Sequence, residues 1–363
     1  MLINNWYAAT DAAALDAGPI RVRMLGLDFV LFRDARGTIA CLSDVCCHRG
    51  SSLSRGTVNG DGVRCPYHGW TFDRRGRCRQ IPSLKNGARI PKRARVPSYP
   101  TVEKYGLVWA FLGDLSGKER PDLPDIFPEF DEHGSWHISL VKKDWPVNWE
   151  RMCENFLDTS HIFEVHQFAS FLSRDIETNV LDDGEWSGKV EHLFKSAQDS
   201  DPDNGAYVTM EYSLVGAVAR NRQQMAGFAD QIIWYASTPM DIGTTRVHAY
   251  FAHDTSASHE QHNSLVEQIV EQVIVEDERA LNILQPIVPP ESRSEELLVT
   301  TDSVEATFRQ KARRAAREWG VVDHRALEQQ RGERVFVMLS PEHRSDPDNW
   351  VHKTVPIRCG EGS

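Results

Sequence analysis

The sequence predicts an α+β chain of two domains, the first all-β and the second a sheet with helices. Three observations carry this. The first 110 or so residues alternate short apolar runs with turn signals, a proline-studded aperiodic stretch follows, and beyond it strand-like runs alternate with segments of helical period. A chain of 363 residues, 40% hydrophobic and 26% charged, suits two or three globular domains.

In the first domain, 29–32 and 38–42 read as strands around the turn Asp34-Ala35-Arg36-Gly37, and Asn59-Gly60-Asp61-Gly62 and Asp73-Arg74-Arg75-Gly76 mark further hairpins. Residues 116–135, with Pro121, Pro124 and Pro128 among acidic side chains, read as a linker, giving domains at 1–115 and 136–363. In the second domain, 148–160 has helical character, and 207–215, 231–237 and 245–253 read as strands. A helix over about 264–285 carries Leu265, Ile269, Val273, Ala280 and Leu284 on one stripe and ends before Pro286. Another starts near Asp302, with Glu305 placed for a capping box, and repeats Val304, Phe308, Ala312 and Trp319 before Gly320. The last forty residues are polar and carry no pattern.

Charge and cysteine content narrow the function. With 41 Lys and Arg against 52 Asp and Glu, the chain lacks the field that gathers nucleic acid. No apolar run approaches the roughly 20 residues of a membrane helix, and Met1-Leu2-Ile3-Asn4-Asn5-Trp6 does not begin an export signal, so the expected location is the cytoplasm. Seven cysteines, four of them between positions 41 and 65, point in a reducing compartment to metal rather than disulfides.

Cys46-Cys47-His48 and Cys65-Pro66-Tyr67-His68 are two halves, sixteen residues apart, each supplying one sulfur and one nitrogen. Two thiolates and two imidazoles hold either tetrahedral zinc or a [2Fe-2S] cluster, and spacing alone does not choose. The mixed delivery from each half resembles the Rieske motif, in which each loop gives one ligand to each iron. Cys47 stands where oxygenase relatives usually carry proline, and its simplest role is inert filler, like Cys41, Cys78, Cys153 and Cys359.

A second constellation lies in Asn155-Phe156-Leu157-Asp158-Thr159-Ser160-His161-Ile162-Phe163-Glu164-Val165-His166. Asn155, Asp158 and His161 recur every three residues, as on one face of a helix; His166 falls about 140° from His161, so both reach one ion only where the helix bends or ends. Asp277 sits on the apolar stripe of the later helix, with Glu276 and Glu278 turned to either side. A carboxylate on such a face needs an arginine partner or a metal. Two imidazoles and a carboxylate form the facial triad of non-haem Fe(II) oxygenases, here His161, His166 and Asp277.

Together these motifs resemble the terminal oxygenase component of the Rieske non-haem iron oxygenases up to about residue 320. The resemblance implies a Rieske [2Fe-2S] domain followed by a helix-grip catalytic domain, with Cys46, His48, Cys65 and His68 on the cluster. It further implies a homotrimer in which Asp158 links His68 of one subunit to His161 of the next, with Asn155 beside the iron. The implied reaction is RH + O2 + two electrons + two protons giving ROH and water. No nucleotide fingerprint is present, so NAD(P)H acts only through a separate reductase, with or without a ferredoxin. The chain looks most like members that hydroxylate or demethylate small aromatic or heterocyclic compounds; ring cis-dihydroxylation is the alternative within the family, and a non-catalytic Rieske carrier or zinc-stabilised binding protein the alternative outside it. Phe168 and Phe171 are candidate pocket residues. The cations Arg309, Lys311, Arg313, Arg314 and Arg317 read as a solvated helix face rather than a docking site for an acidic donor.

Overall fold

The computed structural model describes residues 1–85, 87–132, 134–166, 172–196, 205–225 and 228–359. It divides into two compact units, residues 1–121 with 316–363, and residues 122–315. The break at residue 121 falls inside the expected linker, but 316–363, expected to continue the second domain, cluster with the first. Short anchors explain why this tail showed no periodicity: Val322 N–H donates to Met1 O at 3.1 Å, Tyr99 Oη–H to Met338 O at 2.8 Å, and the Arg95 guanidinium lies 3.7 Å over the Trp350 ring.

The first unit is built from small sheets, antiparallel except for the parallel pair Phe336–Val337 and Lys353–Thr354. One runs Thr57–Asn59, Gly62–Arg64, Thr71–Asp73 and Cys78–Gln80 in sequence order. Its core holds Val30, Phe32, Leu42, Leu53, Val63 and Phe72, together with Cys46, Cys47, Cys65 and Cys78. The strands Leu27–Arg33 and Ile39–Ser43 pair around the Asp34–Gly37 turn, as the turn chemistry demands.

The second unit is a seven-stranded antiparallel sheet in the order Trp136–Trp145, Thr245–Asp254, Gln231–Pro239, Val218–Met225, Ala206–Ser213, Ser187–Ser196 and Leu172–Asp182. Helix α1 (Trp149–Leu157) starts at Asn148, whose Oδ1 accepts from Glu150 N–H at 2.9 Å. It packs on the sheet through Phe156 against Tyr235, ring centroids 4.2 Å apart. Helix α2 (Ile162–Val165) is a single turn. The predicted helix over 264–285 is instead α3 (His259–Gln268), a π-helical segment Ile269–Val273 and α4 (Ile274–Leu281); it stops before Leu284, which is exposed. Helix α5 (Ser303–Trp319) buries Val304, Phe308, Ala312 and Ala315, with Phe308 edge-on to Trp149 and Tyr212. Asp302 ends a preceding 3-10 turn, and its carboxylate accepts from Val299 N–H rather than capping α5 with Glu305.

The basic run on α5 is not a solvated face. Arg309 is buried, its Nε and Nη2 donating to both oxygens of Glu154 at 2.5 and 2.7 Å and its Nη1 to Glu296 at 2.6 Å. Lys311 is held by Asp183 and by the Gly184 and Ser187 carbonyls, Arg313 by Pro290 O, and Arg314 by Glu185. Periodicity assigned these cations to the polar side correctly; it could not see that loops and the sheet cover that side. Only Arg317 is left exposed on this run.

Candidate metal centres

In the first unit the two Cys and His pairs stand on matching knuckles. Cys46 N–H donates to Ser51 O and Gly50 N–H to Cys46 O, both at 2.9 Å; Cys65 N–H donates to Trp70 O and Gly69 N–H to Cys65 O, at 2.8 and 3.1 Å. Closing so short a loop takes a left-handed residue, and Gly50 and Gly69 supply it at φ 72° and 71°. Each knuckle buries its sulfur and exposes its imidazole. Cys46 and Cys65 are in the core, whereas the His48 and His68 rings meet at the surface, centroids 4.4 Å apart. Trp70 stacks on His48 at 4.6 Å, and Tyr67 lies 3.8 Å from His68.

The hydrogen bond that the Cys46 thiol donates to the Cys47 sulfur, followed by burial, pushes the Cys46 thiol up, and burial does the same to Cys65. Two buried thiols with so little stabilisation of their thiolates fit a metal that deprotonates them on binding. One sulfur pair inside and one imidazole pair at the rim fits a cluster with one Cys-held and one His-held iron.

In the second unit the sequence expectation of one helix face through Asn155, Asp158 and His161 is corrected. Helix α1 ends at Leu157, and Asp158 leaves helical geometry at φ −76°, ψ 125°. Its Oδ1 accepts from Ser160 N–H at 2.6 Å, turning the chain so that His161 opens α2 and His166 follows its end. The two imidazoles thereby converge, ring centroids 5.3 Å apart.

Asp277 on α4 completes the group. Its Oδ1 lies 3.4 Å from His161 Nε2 and 3.2 Å from His166 Nε2, and one atom from each of the three residues falls within 4.8 Å of the others. That Oδ1 is buried without a hydrogen-bond donor, as a carboxylate oxygen awaiting a cation would be. Behind the imidazoles stand two more carboxylates: Asp158 Oδ2 is 3.4 Å from His161 Nδ1, and Glu276 Oε2 is 2.9 Å from His166 Nδ1. Each ring thus turns Nε2 to the shared point and Nδ1 to an outer acid, the arrangement that fixes the tautomer of a metal-ligating histidine. The Asn155 amide is 3.5 Å from His161 Nε2.

Burial opposes the charged form of His161, but the Asp158 and Asp277 carboxylates prevail and push the imidazole up to about 9; His166 is raised in the same way by Asp277 and Glu276. Asp277 and Asp158 are held below the usual carboxylate range, the adjoining imidazoles outweighing burial.

Sequence reasoning passed over Glu276. The available signal was its place beside Asp277 on a helix that the π segment has rephased, which no regular period reports. Glu278, its other neighbour, pairs with Lys143. Two buried polar atoms on the helix-covered face of the sheet were also unforeseen: His192 Nε2, whose ring is held by Thr178 at Nδ1, and Asn221 Oδ1, neither with a hydrogen-bond partner among the described residues. Phe168 and Phe171 lie outside the described residues.

Residues 5–100 match the family described as the Rieske [2Fe-2S] domain, and residues 145–318 the vanillate O-demethylase oxygenase C-terminal domain. The chain is 26% identical to the methylxanthine N1-demethylase of Pseudomonas putida over 80% of its own length and 81% of that protein's. It is 35% identical to the 3-chlorobenzoate-3,4-dioxygenase oxygenase subunit of Comamonas testosteroni over 44% of its length and 37% of the relative's. The fold matches dicamba monooxygenase bound to dicamba with a TM-score of 0.72 at 20% identity, covering 91% of this chain and 99% of the other. No helix among the described residues is long and apolar enough to cross a membrane.

Proposed function

The chain belongs to the Rieske terminal oxygenases, and from that premise we propose that it mono-hydroxylates or oxidatively demethylates a small aromatic or heterocyclic substrate. The observation that carries the reading is the buried convergence of His161 Nε2, His166 Nε2 and an unpartnered Asp277 Oδ1. These three residues hold the mononuclear iron, and Cys46, His48, Cys65 and His68 hold the cluster. When bound, the iron supplies dioxygen reduction and substrate oxidation, with electrons arriving through the cluster from NAD(P)H by way of a separate reductase.

The protein's own groups set up that chemistry. Glu276 accepts the Nδ1 proton of His166, leaving Nε2 as the ligating nitrogen. Asp158, its Oδ2 3.4 Å from His161 Nδ1, orients that ring by its charge and, in a homotrimer, joins it to His68 of the next subunit. Asn155 positions His161 from the α1 side. A hydroxylated N- or O-methyl carbon is an unstable hemiaminal or hemiacetal and releases formaldehyde, so one chemistry serves both outcomes. The extended similarity to an N-demethylase and the match of the second domain to an O-demethylase family support this outcome over ring cis-dihydroxylation, since the dioxygenase relative aligns with under half of the chain. We place the protein in the cytoplasm.

The test is the anaerobically purified protein: about three irons per chain, a reduced Rieske signal by EPR, and formaldehyde from N-methyl or methoxy aromatics with a surrogate reductase. Zinc without a cluster overturns the reading; cis-diols without formaldehyde replace it with the dioxygenase.

A further inference from the structure

The basic groups of the chain are unevenly placed. Its net charge is −11, yet residues 34–95 hold 13 Lys and Arg against 4 Asp and no Glu, a net of +9. By compact unit, residues 1–121 with 316–363 carry 26 cations and 18 acids, whereas 122–315 carry 15 and 34, so the units stand at +8 and −19.

The densest point is the turn between the strands Thr71–Asp73 and Cys78–Gln80. Asp73 is buried and consumed in shaping it: Oδ1 accepts from Arg75 N–H and Arg77 N–H at 2.9 and 3.0 Å, and Oδ2 from Arg79 Nε at 2.7 Å. Asp34 is buried likewise, folded back on Arg36 N–H and Thr38 N–H. The guanidiniums of Arg36, Arg74, Arg75, Arg77 and Arg79 are exposed and, with Asp34, Asp61 and Asp73, line a cleft of about 220 Å3. Arg36, Arg74 and Arg75 have no carboxylate within ion-pair distance among the described residues. So many like charges in one cleft repel one another until a negative surface meets them.

The position of this cleft selects the partner. Strands of three residues, about 10 Å long, separate the turn from the loop carrying Cys65 and His68, and Cys78 at the base of the hairpin shares the core with Cys46 and Cys65. A protein seated on the turn therefore approaches the buried cysteine side and leaves the exposed His48–His68 edge free. Among the described residues that line the cleft none is hydrophobic, all being arginine or aspartate. A charged surface poor in apolar area suits a transient electron-transfer encounter rather than a permanent subunit contact.

We propose that the face formed by Arg36, Arg74, Arg75, Arg77 and Arg79 docks an acidic one-electron donor of the ferredoxin class. On docking, the reduced donor loses one electron and the oxidised cluster gains it, with no other reactant. This rests on the oxygenase reading above and adds where its electrons enter; the α5 run, whose cations are already paired, is not that place.

The probe is an acidic plant-type [2Fe-2S] ferredoxin, titrated calorimetrically into the holoprotein. Arg74→Glu with Arg75→Glu is expected to weaken binding about tenfold or more at low ionic strength, with the difference vanishing at high salt as the Debye length shrinks. Arg317→Glu with Arg331→Glu, an equal charge change at exposed sites elsewhere, leaves binding unchanged. Cluster reduction by the ferredoxin slows in parallel, while reduction by the uncharged photoreductant deazariboflavin does not. Binding by the cleft variant within about twofold of wild type at low salt overturns the proposal. So does a variant that falls apart in sedimentation yet binds ferredoxin normally, because the face then belongs to a second copy of the chain. Failure of the oxygenase reading shows separately, as absence of the cluster before any titration.

Discussion

Replacing Glu276 should loosen the mononuclear iron without disturbing the cluster. Its Oε2 takes the Nδ1 proton of the buried His166 at 2.9 Å, and the Glu276 side chain is 23% exposed. A hydrogen bond to a charged partner contributes about 1.5–3 kcal/mol, and loss of such an outer partner usually lowers metal affinity about 10- to 100-fold. Partial exposure puts Glu276→Ala toward the lower end, about 10- to 30-fold. Glu276→Gln keeps an acceptor but not the charge and should fall between the two. The assay is anaerobic Fe(II) titration of protein stripped of mononuclear iron against a competing chelator, with cluster absorbance followed in the same cuvette. An affinity for the alanine variant within about twofold of wild type would refute the role assigned to Glu276.

Three further outcomes follow from the second unit. Arg309→Ala strips the buried Glu154 of both its charge-assisted hydrogen bonds and leaves it only Arg151 at 3.8 Å, so denaturant unfolding should report a loss of about 3 kcal/mol, and a loss under 1 kcal/mol would show that the network with Glu296 is dispensable. Glu305 is pushed up to about 8 by burial and by the charges of Asp158, Asp302 and Glu154. With its folded value above its unfolded one, the stability it contributes is complete below about pH 4.5 and is lost as pH rises through about 8. Glu305→Gln should therefore match wild type near pH 4 and exceed it by up to about 4–5 kcal/mol above pH 9, and a difference that does not vary with pH contradicts this. Asp158→Asn should keep both metals while turnover falls about 100-fold or more; iron content with an unchanged rate would remove Asp158 from the path between the centres.

The sequence was most informative where chemistry is local. The knuckles at Cys46 and Cys65 can be read directly, because ligand, spacing and glycine all lie within five residues. The strand 245–253 was visible for a different reason, the apolar residues Val247 and Ala249-Tyr250-Phe251-Ala252 buried on both faces. The strands Leu172–Asp182 and Ser187–Ser196 were not seen: the outer one is mostly exposed and polar, and the inner one alternates Val190, His192 and Phe194 with Glu191, Leu193 and Lys195, a pattern weakened by a histidine on the buried face and a leucine on the other. The role of α5 was misread because exposure of a helix face depends on what covers it, here Asp183, Glu185 and the Gly184 and Ser187 carbonyls more than a hundred residues upstream.

The candidate iron centre shows why its ligands were easier to name than to place. An unbroken helix would set His161 and His166 about 140° apart. The chain resolves this by breaking the helix where Asp158 can use both carboxylate oxygens, Oδ1 on Ser160 N–H to make the turn and Oδ2 toward His161 Nδ1. Asp277 depends on a second irregularity, since the π segment inserted before α4 changes the phase at which 276–278 meet the sheet side. Both departures cost regular backbone hydrogen bonding; the first falls at Asp158 itself, and the second within a turn of Glu276 and Asp277, which face the imidazoles. For that reason an asparagine at 158 separates the two functions of the aspartate: it retains the acceptor that closes the turn and gives up the charge that holds the ring, whereas alanine loses both at once.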